Sequence, residues 1–342
     1  MPRDSNNSDR SITADASPRC LPVVDARIPQ WDPAALAPRD CPFCRSPGVE
    51  RFIRPDQLHV RECDVCGTYF VSPAPTEETL IDFYARYHTA HGRAGNVRPE
   101  SLRHDVQLSA AGDVRVATLA SCMPLEGRRA LDVGCGMGLQ MAHLRAAGLV
   151  VTGIDLDPDS LQIAREHLGF SDLHQCDIQA FEAAEPFDVV TLNDLIEHPL
   201  DPLGTLAKAR DLLRPGGLIS IWTPNASFAA QDREPVLFSV DLEHMQYLSV
   251  RTCLWLLDRL GLTLMHLEAI GFPDLRDMDR SSADGAAPSS MRNRIKAALK
   301  TMPGFATLNR ARHALRPAAP DPRRGRYHLF CVFRTPEHVR ES

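Results

Sequence analysis

The sequence predicts an α/β protein in which a doubly wound, mainly parallel sheet is preceded by a small four-cysteine module. Three observations carry this. From about residue 128, short apolar runs alternate with helical stretches, "RALDVG" then "LQMAHLRAAG" and "VVTGIDL" then "SLQIAREHLG", a rhythm that builds βαβ units. The stretch "LDVGCGMG" at 131–138 places alternating glycines between the first apolar run and its helix. Upstream of both, two Cys-x-x-Cys pairs lie close together.

The chain has 342 residues, 44% of them hydrophobic, enough to bury one large core and a smaller one. A net charge of −6 gives no general attraction to phosphate backbones, which argues against nucleic acid as the partner. No apolar run approaches the ~20 residues of a membrane span, and the polar, proline-containing N-terminus lacks a signal-peptide core. A cytoplasmic protein is expected.

Residues 1–38 are polar and proline-punctuated without a sustained period, so a loose tail is expected there. Residues 39–73 hold Cys41 and Cys44, then Cys63 and Cys66, with eighteen residues between the pairs. Each pair forms a knuckle offering two thiolates, and two knuckles complete the closed tetrahedral shell that Zn²⁺ favours in structural sites. Gly67 suits the second knuckle's turn. A disulfide framework is the competing reading, disfavoured in a reducing compartment. A closed four-thiolate zinc ribbon has no open coordination position, so the chemistry lies elsewhere. The remaining cysteines are scattered and read as small buried hydrophobes.

Residues 74–119 read as a linking helical segment, opened by "PTEETLIDFYARYH" with Thr76 as its cap. Its Tyr84 and Tyr87 could close over a ligand or simply pack. The domain at 120–335 then carries a sequence of acids at predicted strand ends, where doubly wound sheets bind ligands. Gly134, Gly136 and Gly138 let the backbone approach a ligand, a device that dinucleotide enzymes share. Asp132 precedes them. The second strand ends in "GIDLDP", where Asp155, with Leu156 beside it, can accept from both hydroxyls of a ribose; charge-assisted bonds of that kind contribute roughly 1.5–3 kcal/mol each. The third apolar segment ends in "QCDI", so Asp177 and Ile178 could flank an adenine. Asp157 is read as the start of a helix before Pro158.

With these motifs in this order, residues 120–335 resemble the class I S-adenosylmethionine-dependent methyltransferases. The resemblance implies a Rossmann-like sheet with an antiparallel last strand, here "RYHLFCVFRT". It also implies that Asp132 and the glycine turn approach the methionine part of the cofactor, Asp155 grips the ribose, Asp177 and Ile178 line the adenine, and Asn193 sits beside the sulfonium. The cysteine ribbon followed by "PAPTEETLIDFYARYH" resembles a bacterial subgroup associated with glycan, lipid or secondary-metabolite pathways.

"NDLIEHP" supplies Asp194, Glu197 and His198 just beyond the fourth strand. A hydroxyl acceptor needs help losing its proton, and His198 is the candidate base, with His244 in "DLEHMQYLS" as the alternative and Tyr247 near it. On a helical turn Asp194 would share one face with Glu197 and His198. That arrangement resembles the acid-x-x-Glu-His pattern of quinone-biosynthesis O-methyltransferases, where a divalent ion is implied; the first acid here is Asp. A capped turn before Pro199 is the structural alternative.

An insertion at 273–326 contains a stretch, 291–316, rich in Arg and Lys and free of acids, interleaved with apolar residues. It could touch an anionic membrane surface peripherally, recognise a phosphorylated acceptor, or cover the sheet edge as a basic hairpin. The expected function is methylation, at oxygen, of a small-molecule, sugar or lipid-precursor acceptor. A zinc-ribbon RNA methyltransferase and a non-catalytic cofactor-binding scaffold are the alternatives.

Overall fold

Alternating apolar residues and tight turns build the N-terminal module. The structure, a computed structural model, describes residues 18–24, 27–87, 102, 106, 113–229, 236–271 and 326–337. Within it run β1 (Arg19–Cys20), β2 (Leu36–Ala37), β3 (Val49–Ile53), β4 (His59–Glu62), β5 (Tyr69–Val71) and β6 (Ala74–Pro75). β3, β4 and β5 form an antiparallel meander, and β1 adds in parallel to β3. In the segment expected to be a loose tail, Arg19, Cys20, Leu36 and Ala37 are therefore paired in strands. β1 satisfies backbone groups along the β3 edge, and β2 pairs with β6. Trp31 Nε1 donates to Asp56 Oδ2 at 3.0 Å, and the Trp31 ring packs on Phe83. Helix α1 (Glu77–Ala85) starts where its cap predicts, with the Thr76 hydroxyl accepting from Thr79 N and Glu77 and Glu78 in the first turn.

The second module follows as α2 (Val114–Cys122), β7 (Arg129–Val133), α3 (Leu139–Ala146), β8 (Val150–Asp155), α4 (Pro158–Leu168), β9 (Leu173–Gln175), β10 (Phe187–Asn193), α5 (Pro202–Asp211), β11 (Leu213–Pro224), α6 (Ala226–Ala229), β12 (Gln246–Tyr247), α7 (Val250–Leu260), β13 (Thr263–Ile270) and β14 (His328–Arg334). Seven strands make one sheet in the order β13-β14-β11-β10-β7-β8-β9. β7 to β11 are mutually parallel where they pair, and β14 runs antiparallel to both β11 and β13. This is the Rossmann-like, doubly wound sheet with an antiparallel last strand. Every residue from Phe187 to Leu192 is buried, as expected of a parallel strand covered on both faces. The winding reverses between β7 and β10, so their carboxyl ends flank the crevice where such sheets take ligands.

The two modules share a sheet and a core. β12, which follows the main sheet's fifth strand in sequence, pairs antiparallel with β5 of the N-terminal module. Phe43 and Phe70 pack in one apolar cluster with Leu248, Cys253 and Leu256, and the Thr68 and Thr252 hydroxyls lie 3.0 Å apart. The basic stretch 291–316 lies outside the described residues, as does the insertion around it apart from Arg326. Among the described residues, no helix is long and apolar enough to cross a membrane.

Candidate functional site

The cysteines converge. Cys41 and Cys66 Sγ lie 3.5 Å apart, Cys44 and Cys63 Sγ 3.3 Å, and the four sulfurs all fall within 4.8 Å of one another. Tetrahedral Zn–S bonds of about 2.3 Å would place the sulfurs about 3.8 Å apart, so the residues fit a four-thiolate zinc. The two knuckles repeat one turn. Arg45 N donates to Cys41 O and Gly67 N to Cys63 O, both at 2.9 Å, with φ of +63° and +75°.

A cavity of about 600 Å³ opens at the carboxyl ends of β7, β8 and β10. Its first wall is the glycine turn and the strand ends beside it. Gly134 (φ +70°) and Gly136 (φ +50°) take backbone conformations that side chains strain, and a Cβ on Gly136 would meet nothing within 4 Å, so the turn faces open space. Asp155 accepts from Gly136 N at 2.7 Å through Oδ2 and from Asp157 N at 2.9 Å through Oδ1. Each oxygen retains a lone pair for a further donor, which is what a diol requires. Burial raises the Asp155 carboxyl above the usual carboxylate range, while those backbone bonds pull it back. Leu156, Asp177 and Ile178 line the same wall. Asp177 Oδ1 also accepts from Ala180 N at 2.7 Å. Asp157 caps α4, as the sequence indicates, accepting from Asp159 N and the Ser160 hydroxyl.

Three of the expected cofactor residues stand behind this wall. Asp132 is buried at the end of β7, accepting from the Thr191 hydroxyl at 2.6 Å, and burial pushes its carboxyl up to about 6 against the pull of Thr191 and Arg115. Gly138 starts α3. Asn193, at the end of β10, has both side-chain amide atoms buried with no hydrogen-bond partner among the described residues. An amide left unpaired costs about 1–3 kcal/mol, so a polar ligand there would satisfy a real deficit. Asp194 and Leu195 beside it do line the cavity.

The opposite wall holds the candidate bases. The chain leaves β10 through Asp194 with φ +47° and runs on as turns. This corrects the helical turn expected to align Asp194 with Glu197 and His198. A left-handed residue redirects the chain, and the Asp194 carboxylate lies 3.8 Å from His328 Nε2, with its side chain 59% exposed. Glu197 goes the other way. It is fully buried, accepting from the Thr223 hydroxyl at 2.9 Å, with its second oxygen 3.9 Å from His244 Nε2. Burial, then the nearby Asp194, holds this acid well above the usual carboxylate range. The three residues whose ligand atoms lie within 4.8 Å of one another are Glu197, His198 and His244, a set that could hold a divalent cation.

The N-terminal module holds this wall in place. Buried Arg54 donates to His244 O at 2.6 Å, to the Tyr247 hydroxyl at 3.1 Å, and to Leu242 O. Arg39 donates to Met245 O and Gln246 Oε1, and Gln246 in turn donates to Ile196 O and Pro199 O. One polar network thus ties the ribbon to the segments carrying both histidines.

Residues 102–267 match the family model described as a methyltransferase domain. This region, just under half of the chain, is similar to a methyltransferase domain. Among curated proteins, the chain is similar to a ubiquinone biosynthesis O-methyltransferase of Aromatoleum aromaticum, 43% identical over 112 residues, covering 31% of this chain and 48% of that protein. The corresponding protein of Xylella fastidiosa is 40% identical over 130 residues, covering 36% and 52%. The chain spans about half the length of the curated relatives it matches. A solved Burkholderia thailandensis 1,6-didemethyltoxoflavin-N1-methyltransferase is similar at 17% identity and TM-score 0.45, covering 84% of this chain and all of that one.

Sequence reasoning missed several residues of this cavity. Tyr327 and His328 line it from the start of the last strand, and Asp241 and Glu243 from the loop before β12. His328 packs at a tilt against Trp222, 4.7 Å between ring centroids, and burial with Arg115 and His244 pulls its imidazole down to about 3, keeping it neutral. The string "RYHLF" carries no cue to this. His328 reaches the cavity only because β14 inserts between β11 and β13.

Proposed function

We propose that this protein is an S-adenosylmethionine-dependent methyltransferase acting on a hydroxyl of a small-molecule, sugar or lipid-precursor acceptor. The observation that carries this reading is the single cavity joining the Asp155 wall to the His198 and His244 wall. The relatives' named role in ubiquinone biosynthesis favours a quinone-precursor acceptor within that class.

Asp155 would accept from the ribose hydroxyls, Ile178 would pack on the adenine, and Asn193 would pair its orphaned amide with a polar group of the cofactor. Bound there, S-adenosylmethionine supplies a methyl group on a cationic sulfur. Holding donor and acceptor in line can itself contribute about 7–11 kcal/mol. His198 would take the hydroxyl proton, with His244 alongside at 4.8 Å between ring centroids. Cys41, Cys44, Cys63 and Cys66 would hold a structural Zn²⁺ that supports the second wall. Glu197, His198 and His244 would be the ligands if a divalent ion assists the acceptor.

Calorimetric titration with S-adenosylmethionine, S-adenosylhomocysteine and NAD tests the reading. Micromolar binding of the two sulfur compounds, followed by methyl transfer in a screen of catechols, sugars and prenylated phenols, is the expected result. Binding of NAD alone would overturn it.

A further inference from the structure

We propose that Thr68 and Thr252 form a hydroxyl relay through which α7 of the second module strengthens the metal site of the first, Thr252 donating to Thr68 and Thr68 to the Cys66 sulfur. The relay rests on the four-thiolate zinc proposed above. The Thr68 hydroxyl oxygen lies 3.2 Å from Cys66 Sγ and 3.0 Å from the Thr252 hydroxyl oxygen. Thr252 stands in the first turn of α7, where its hydroxyl accepts from Ser249 N at 3.1 Å and the Ser249 hydroxyl accepts from Thr252 N at 3.1 Å. That reciprocal pair closes the start of the helix. A metal-bound thiolate carries no hydrogen and only accepts, whereas a hydroxyl can donate once and accept as well. One direction uses every group: Ser249 N–H to Thr252, Thr252 O–H to Thr68, and Thr68 O–H to Cys66. The sulfur then receives a donor whose own oxygen is held by a second donor, and bonds in such a chain reinforce one another. Both threonines are fully buried, so bulk water does not compete for these bonds.

The second knuckle is seated on α7. A Cβ on Gly67 would stand 2.9 Å from Ser249 Oγ and 3.0 Å from the Arg251 side chain, which leaves no room for a larger residue. Cys41, Cys63 and Cys66 share a buried cluster with Cys253 and Leu256 of α7. Four thiolates outweigh the charge of one Zn²⁺, so the loaded site is an anion beside the positive end of an eleven-residue helix. Thr68 and Thr252 are 184 positions apart, so the hydrogen bonding of the site is completed by the module that contributes none of the cysteines. Binding is reciprocal: whatever factor α7 adds to metal affinity, the metal adds to the docking of the ribbon on α7.

The test needs neither cofactor nor acceptor. The full chain loaded with Zn²⁺ is titrated with chelators of graded affinity, and the chain loaded with Co²⁺ is observed through its sulfur-to-metal absorption. Thr68→Val keeps the branched shape and removes the hydroxyl. We expect it to hold Zn²⁺ about 10- to 100-fold more weakly and to move the Co²⁺ band to longer wavelength, because a sulfur that has lost a donor gives up charge more readily. Thr68→Ser should restore both. Thr252→Val should act in the same direction by a smaller factor, also moving the band, which keeps the test standing if Thr68→Val does not fold. Added to Thr68→Val it should change little more, the relay being already broken.

Unchanged affinity in Thr68→Val overturns the relay. A weaker affinity with the band unmoved, or not restored by Thr68→Ser, overturns it too, since damaged packing alone would do as much. Factors for the two substitutions that multiply in the double variant remove Thr252 from the chain. A wild-type protein that takes up no Zn²⁺ removes the four-thiolate reading itself and the relay with it, an outcome distinct from a zinc-binding chain that is indifferent to Thr68.

Discussion

The wall of the cavity around Asp155 comes from consecutive strand, turn and helix units, whereas the wall around His198 and His244 is gathered from α1, the turn after β10, the loop before β12 and the start of β14. On the first wall, one short range of backbone aims the glycine turn, and Gly136 and Asp155 bond to each other across nineteen positions. On the second, the decisive bonds span far more chain: Arg54 to His244 across 190 positions and Tyr84 to His198 across 114. The first wall should therefore survive damage that the second does not, because its geometry depends on neighbouring βα units and not on the ribbon.

The largest effect is expected from the zinc proposed for the four-cysteine ribbon. Structural zinc contributes roughly 10–16 kcal/mol in small zinc modules, so Cys63→Ser should release it and open the β5–β12 pairing. Metal analysis and amide hydrogen exchange read this, with exchange rising over 241–247 well before it rises over 129–155. Metal retained in full by the variant would exclude the four-cysteine set.

Arg54→Met attacks the same wall without touching the metal. It leaves Asp56 as a buried charge without its cationic partner, held only by Trp31 Nε1 and Leu58 N, a change that costs about 3–5 kcal/mol. The melting temperature should fall, while S-adenosylhomocysteine binding, measured below the new transition, holds. A matching loss of affinity would show that the two walls are not separable.

Asp155→Ala makes the opposite cut. Losing a charged acceptor weakens a bond by about 1.5–3 kcal/mol, or roughly 10- to 150-fold in S-adenosylhomocysteine affinity. Unchanged affinity in calorimetry would remove Asp155 from the ribose.

The smallest effect lies at Asp132. Its carboxyl stands at about 6 in the folded chain and at ~3.9 unfolded. The native state therefore binds more protons within that window, and this group's contribution to stability falls as pH rises from about 4 to about 6. Asp132→Asn removes that dependence, so the melting-temperature difference, wild type minus variant, should decline across that window and flatten above it. A difference independent of pH would mean that Asp132 is ionised throughout.

Much of the first wall was legible in the sequence. Strand ends follow from apolar runs and helix starts from caps, so Asp155, Leu156, Asp177 and Ile178 could be placed by counting. The cysteine knuckles were legible for the same reason, since their turns are local. Asp194 was misjudged because a three- and four-residue spacing aligns side chains only on a helix, and the chain takes a left-handed residue there instead. His198 and His244 were each recognisable as candidate bases, but nothing in their spacing shows that their rings meet.

By itself, the sequence determined the layer order, the strand ends, the glycine turn and the paired cysteine knuckles, because each is set by periodicity or by contacts a few residues apart. Only the tertiary structure decided that Glu197 and not Asp194 joins the histidines, that His328 faces the cavity, that Arg54 holds the His244 loop, and that Tyr84 touches His198. Those contacts depend on where β14 inserts and on β12 pairing with β5, choices made by the packing of one shared core.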